Sequence, residues 1–305
     1  MARASAELAA LQAPFWTPRG IDHLVLAVRD LDAGAETWAR MGFTLTPRAE
    51  HPWGTANRLV QFPGSFLEIL SVAAPEKIAA ARGANFSFGA FNRDFLKRRE
   101  GMSMLVLESQ DTDGDIENFR AHGLTTYRRF DFARTAITPD GEPRDVAFSL
   151  AFTGPRAERD AGFFTCRQIH PENFWNPDYQ AHANSATGIA EVVLVARDPA
   201  DHHAFLSAFT GEREIHATGR GLSIATPRGV VSCLTPVAFR HWYGAENLPA
   251  DPDALMFGAI VIKVDRFGDA AAQLIAGGFD VADRLGALVV PAAAAHGIAV
   301  AFREA

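Results

Sequence analysis

Gly20-Ile21-Asp22-His23-Leu24-Val25-Leu26-Ala27-Val28-Arg29-Asp30 reads as an apolar strand closed by a charged pair. It returns 168 residues later as Gly188-Ile189-Ala190-Glu191-Val192-Val193-Leu194-Val195-Ala196-Arg197-Asp198. Gly, Ile, Val, Leu, Arg and Asp stand at matching offsets, and each run leads into a helical pattern opened by its Asp. The second copy has lost the histidine. The chain reads as duplicated, with chemistry expected only in its first copy.

A finer repeat lies inside each half. Four times an apolar run is followed by Asp, then by apolar residues at helical spacing, then by Gly. The helices are expected to open at Asp30, near Asp111 or Asp113, at Asp198 and at Asp265, and to stop at Gly42, Gly123, Gly211 and Gly277-Gly278. Asp accepts from the free N–H groups of a first turn, and Gly takes the left-handed conformation that ends the last. Three short strand patterns follow each helix. In the first module they are Phe43–Pro47, Asn57–Phe62 and Phe66–Val72; in the second, Pro139-Asp140-Gly141 reads as a turn between strands. Each module is therefore βαβββ. One such module cannot bury its sheet face, so modules are expected to pair. The predicted fold is α+β, four modules paired into two curved, barrel-like mixed sheets. The polar stretch Asn176 to Thr187 divides an N-terminal extension (1–19) and modules one and two (20–180) from modules three and four (181–305).

Composition narrows the function. The 305 residues are 48% hydrophobic and 21% charged, with net charge −7 and no block of like charge. Nucleic acid is not an expected partner, because a phosphate-binding surface needs clustered Lys and Arg. No run approaches a membrane span. Cys166 and Cys233 each lie in an apolar run, which fits buried reduced thiols and a cytoplasmic protein.

Four βαβββ modules, a histidine in the first strand and a glutamate in the fourth resemble the vicinal oxygen chelate superfamily, which includes glyoxalase I, extradiol dioxygenases and bleomycin-resistance proteins. The stretch His51-Pro52-Trp53-Gly54-Thr55-Ala56-Asn57-Arg58-Leu59-Val60-Gln61-Phe62, followed by Leu67-Glu68-Ile69-Leu70, is similar to its glyoxalase-like branch. The resemblance implies one divalent metal ion (Fe, Mn, Ni or Zn) held by side chains on the first and fourth strands, where His23 and Glu68 fall.

The residues argue in the same direction independently. Glu68 interrupts Phe66-Leu67-Glu68-Ile69-Leu70, where a buried carboxylate is costly without a cation or strong donor. The plainer reading is a solvent-facing edge or a salt bridge to a residue such as Arg58. His23 sits in an apolar strand, and neutral imidazole is a common metal ligand; a core histidine with one hydrogen bond is its plainer reading. In module two, Met104 falls at the histidine position, and a thioether is a poor ligand for a borderline ion. A replacement is expected from Cys166, Gln168 or His170, which share a face by strand alternation. Of these, His170 would complete a two-histidine, one-carboxylate set. Glu191 and Ser232 take the ligand positions in module three, and Ala259 or Ile260 the histidine slot in module four, so the second half is read as structural. His51, Trp53, Arg58, Gln168 and Trp175 are the expected pocket residues.

The function implied by the resemblance is a metal-dependent lyase, isomerase or dioxygenase acting on a small oxygenated substrate, with Glu68 as the catalytic carboxylate. The alternative is a metal-free small-molecule binder of the bleomycin-resistance type. The paired modules do not require a dimer, though the C-terminal half could form a homodimer.

Overall fold

Both copies of the opening run become central strands. The structure, a computed structural model, describes residues 16–137, 142–155, 160–248 and 254–304; the turn expected at 139–141 and most of the 1–19 extension lie outside them. The first half contains β1 (Ile21–Ala27), β2 (Ala49–Glu50), β3 (Thr55–Phe62), β4 (Ser65–Val72), β5 (Gly101–Glu108), β6 (Thr125–Thr126), β7 (Phe130–Ile137), β8 (Pro143–Gly154) and β9 (Gly162–Gln168). They form one mixed sheet in the order β2-β3-β4-β1-β5-β9-β8-β6, with β7 paired to β8. The second half contains β10 (Ala186–Val195), β11 (His216–Thr218), β12 (Gly221–Ala225), β13 (Val230–Leu234), β14 (Met256–Val264), β15 (Ala282–Arg284), β16 (Ala287–Val290) and β17 (Ala299–Glu304). Its order, β11-β12-β13-β10-β14-β17-β16-β15, repeats the first. The α+β fold of four paired modules is as the sequence predicts.

In each sheet the first strands of two modules run antiparallel at the centre, and each pairs in parallel with its own module's last strand. The register preserves the repeat. His23 faces Phe66 and Val25 faces Glu68 across β1 and β4; Glu191 faces Val230 and Val193 faces Ser232 across β10 and β13. The shift of 168 residues maps His23 to Glu191 and Val25 to Val193, and the shared register then maps Glu68 to Ser232. Across the centre, His23 pairs with Val106 and Val25 with Met104. A local two-fold relating these pairs puts Met104 at the position of His23, as alignment of the modules predicts. The same operation in the second sheet assigns the histidine slot to Ala259.

Alternation divides the side chains between two environments. Leu24, Leu26, Leu67 and Ile69 of the first sheet and Val192, Leu194 and Ile260 of the second join Trp38, Phe119, Phe209 and Leu274, from the four module helices, in one continuous apolar cluster. The helices open as the sequence predicts where Asp30 accepts from the backbone N–H of Asp32 and Ala33 at 2.9 and 3.1 Å. The other side chains of the same strands form two separate clusters. One is built around Val25, Met104, Val106, Phe164 and Cys166, the other around Val193, Ala259, Ala299 and Ala301. These are the concave faces, and they point away from the shared core.

Two features depart from the sequence reading. Phe43–Pro47, expected as a strand, is irregular: Thr44 is held by His182 Nδ1 and the Ala181 carbonyl, and Pro47 has no N–H to give a ladder. Helices Phe88–Arg98 and Pro236–Tyr243, absent from the predicted modules, join the two modules of each half. Ser87 and Thr235 cap them through their hydroxyls, a signal present in the sequence. Among the described residues no helix is long and apolar enough to cross a membrane.

Candidate metal centre and substrate cavity

On the concave face of the first sheet, His23 and Glu68 are both buried, each 5% exposed. A bulge in β1 adds a third polar residue. Ile21 pairs with Leu107 and His23 with Val106, so two steps on β1 match one on β5. The extra residue, Asp22, escapes the alternation that would send it to the opposite side. Its carboxylate meets His23 Nδ1 at 2.5 Å and accepts from Gln168 Nε2 at 3.0 Å. With Nδ1–H donating to Asp22, the Nε2 lone pair of His23 is left toward the cavity, and the ring is held flat on Phe66 with centroids 4.3 Å apart. A carboxylate behind a histidine in this way sets its tautomer and raises its basicity as a ligand. Cys166 completes the group: the donor atoms of Asp22, His23 and Cys166 all lie within 4.8 Å of one another. Burial pushes the Cys166 thiol pKa well up, and the nearby carboxylates of Asp22 and Glu68 push it further.

Glu68 is held from the other side. Asn57 Nδ2 donates to Glu68 Oε1 at 2.6 Å and lies 3.5 Å from His51 Nε2, which is itself 4.0 Å from Glu68. His51 Nδ1 meets Thr55 Oγ1 at 2.8 Å. Burial lowers the His51 pKa against the pull of Glu68, and Arg134 lowers it further, so the neutral ring is favoured. Its Nε2 can then accept from Asn57, giving a chain Thr55–His51–Asn57–Glu68 that fixes the carboxylate. His51 stacks on Trp53, and the tight turn carrying both requires Gly54: its φ is +87°, and an added Cβ would come within 2.3 Å of the Ala74 carbonyl oxygen.

The cavity has two connected chambers. The inner one, about 50 Å³, is lined by His23, Glu68, Cys166 and a wall of phenylalanines. The outer one, about 500 Å³, lies beneath Trp175 and Tyr179 of the segment joining the halves. Asn57, Leu59, Arg134 and Phe174 line both. An outer chamber of this size is in the range of small-molecule sites.

The structure brings together His23, Glu68, His51, Trp53 and Gln168, and it sets Trp175 at the outer chamber. It does not bring His170 to the cluster. β9 ends at Gln168, Pro171 starts a helical turn, and the exposed His170 lies 3.5 Å from Glu172 instead. Arg58 also falls away from the cavity and donates to the Thr46 carbonyl, so it is not the partner of Glu68. Asp22, Asn57 and Arg134 were not singled out by the sequence reading. Arg134 was legible in principle, because Phe130, Phe132 and Arg134 alternate on β7 and the latter two face the cavity.

The donor set fits a borderline divalent ion: an imidazole nitrogen with a free lone pair, a buried carboxylate, and further oxygen and sulfur donors nearby. Two buried acceptors beside it, Asn57 Oδ1 and Gln168 Oε1, have no hydrogen-bond partner among the described residues.

These modules, with a polar cluster on one concave face, define a vicinal oxygen chelate fold. The chain belongs to the glyoxalase-like domain family, whose match spans residues 21–210. Among solved structures it is similar to a hypothetical protein from Staphylococcus aureus (TM-score 0.68, 11% identity, 94% of this chain and 100% of that one). It is also similar to 2,2',3-trihydroxybiphenyl 1,2-dioxygenase from Sphingomonas wittichii RW1 (0.51, 12%, 95% and 91%). A variant of homoprotocatechuate 2,3-dioxygenase from B. fuscum in complex with HPCA gives 0.54, 9%, 95% and 72%. At these identities the likeness is one of fold. Comparison with curated proteins found no match.

Proposed function

We propose that this chain is an enzyme that holds one divalent metal ion (Fe, Mn, Ni or Zn) in the inner chamber through His23 and Glu68, and acts on a small oxygenated substrate. The third donor comes from the Asp22–Cys166–Gln168 group in place of His170. The observation that carries this reading is that two buried polar side chains, His23 and Glu68, line the inner end of one aromatic cavity, with Glu68 beside rather than within the close donor group of Asp22, His23 and Cys166. His23 presents a free Nε2 there, and among the described residues Glu68 has no cationic partner closer than His51, whose neutral form is favoured, at 4.0 Å.

When bound, the ion supplies Lewis-acid polarisation of two neighbouring substrate oxygens. The protein does the rest. Asp22 holds the His23 ring in one tautomer, and Gln168 holds Asp22. Asn57 anchors one oxygen of Glu68, leaving the other for ligation or for moving a proton at the substrate. Phe66, Phe132, Phe148 and Phe164 exclude water, which strengthens each of these interactions. A lyase, isomerase or dioxygenase step fits this arrangement.

The test is elemental analysis of protein purified without a chelating tag. Near-stoichiometric metal is expected, and it should vanish in both His23→Ala and Glu68→Ala while the fold persists by circular dichroism. Native protein that stays metal-free after reconstitution would sink the proposal. A second reading, a metal-free binding protein, is favoured by Met104 at the position related to His23, and that outcome would support it.

A further inference from the structure

Arg134 stands out among the cavity side chains because, among the described residues, no carboxylate forms an ion pair with it. It projects from β7 where the two chambers meet and lines both. Its Nε is buried without a hydrogen-bond partner, and no carboxylate comes within 4.0 Å of the guanidinium among the described residues. Two other arginines differ: the buried Arg19 grips Asp115 at 2.6 Å, and the partly buried Arg228 reaches Glu108 at 3.0 Å. Burial depresses the Arg134 pKa, and the one charge that opposes this is Glu68, at longer range. An arginine normally stays protonated even so. A partly desolvated cation held without a counter-ion is costly, so a fold that keeps one beside a cavity needs a reason for it.

The charge balance supplies that reason. If Glu68 and a neighbouring carboxylate are committed to a divalent ion, the carboxylates left around the outer chamber are Glu50 and Glu172, and these lie against Arg48 and His170 rather than the Arg134 guanidinium. The shared wall of the two chambers is then positive, and the group that fits it is an anion from outside. Guanidinium geometry matches a carboxylate through two parallel N–H donors. The outer chamber, with Phe174 and Trp175, offers an apolar surface for the rest of such a molecule.

We propose that the substrate of this site carries a carboxylate, and that Arg134 binds it at the junction of the chambers while the oxygenated end reaches toward His23 and Glu68. This deepens the metal-enzyme reading and rests on it for the placement of the oxygenated end, but the Arg134–carboxylate contact can be tested without metal.

The probe is benzoate, with benzyl alcohol as its neutral counterpart. Each is titrated into the full chain as purified and after chelator treatment, followed by calorimetry and by the fluorescence of Trp53 and Trp175. Saturable benzoate binding is expected in both preparations. Arg134→Met should weaken it by roughly tenfold or more, the loss of a charge-assisted contact. Arg134→Lys should fall between, because it keeps the charge but not the fork, and it guards against a folding defect in the Met variant. Arg144→Met, which removes an exposed cation from the same rim, should change affinity less than twofold. Benzyl alcohol should bind without regard to residue 134. Equal benzoate affinity in wild type and Arg134→Met, or no saturable benzoate binding, would overturn the assignment. Native protein that takes up no metal even on reconstitution, yet binds benzoate through Arg134, would leave the assignment standing and overturn only the metal reading.

Discussion

The two concave faces share one scaffold and differ in what their polar residues are left to do. In the second sheet the His23 position holds Glu191 and the Glu68 position holds Ser232, and the two satisfy each other: Ser232 Oγ donates to Glu191 Oε1 at 2.5 Å. The centre of the hollow is then filled, and a cleft of about 200 Å³ remains at its rim between Trp242, Tyr243, Arg284 and Arg303. Helix Pro236–Tyr243 inserts Phe239, which is fully buried, and Gly258 on β14 lies so close that an added Cβ would come within 2.5 Å of that ring. Ala259, Ala299 and Ala301 around it are small. In the first sheet the corresponding helix, Phe88–Arg98, sends Phe95 against Ala27 at the edge of the face and leaves Phe88 as a cavity wall. The same strand pairing supports a plug in one half and a chamber in the other. The distinction lies in whether the paired polar groups use up each other's hydrogen-bonding capacity.

The largest effect expected from breaking this contrast is on stability. Phe239→Ala should cost about 3–5 kcal/mol, because it empties a packed hollow that small neighbours cannot close. Phe132→Ala, at the half-buried wall of an existing cavity, should cost clearly less in the same denaturant titration. Equal costs would mean that the first concave face is packed as tightly as the second. Next in size is Asp22→Asn, which keeps the shape but removes the charge behind His23. Metal affinity should fall by about 10–100-fold, the usual consequence of losing such an orienting carboxylate. A competition titration with a chelating dye measures it, and unchanged affinity would show that Asp22 only fills the bulge.

How much of this was legible before the structure follows from what strand alternation can carry. The modules, their pairing and the separation of the halves were readable because apolar runs, Asp caps and Gly stops repeat at the scale of the fold. His23 and Glu68 were readable because each interrupts a run that is otherwise apolar. Asp22 was not, since alternation assigns it to the face opposite His23 and only the bulge between Ile21 and His23 reverses that. His170 failed for the reverse reason: alternation continues on paper from Cys166 and Gln168, but Pro171 ends the strand first. Arg134 was legible only in part: its alternation with Phe130 and Phe132 is local, but that β7, paired to β8, turns this face to the cavity is not encoded in any local pattern.

The smallest effects belong to the second sheet, and they matter most for deciding what the polar positions are for. Glu191 and Ser232 occupy the ligand positions by register, so position alone would make them metal donors. Their mutual hydrogen bond, with Arg303 at 3.9 Å from the other carboxylate oxygen, argues that they are a structural pair. Replacing both together, Glu191→Gln with Ser232→Ala, should leave metal content unchanged. Stability should shift by about 1 kcal/mol or less, because Glu191 is partly exposed, the buried Ser232 loses only its small hydroxyl, and the hydrogen bond lost is a single one. Elemental analysis and a thermal melt read both quantities on one sample. If metal content fell in this variant while His23→Ala kept its metal, the working face would be the plugged one, and the contrast between the halves would have to be reversed.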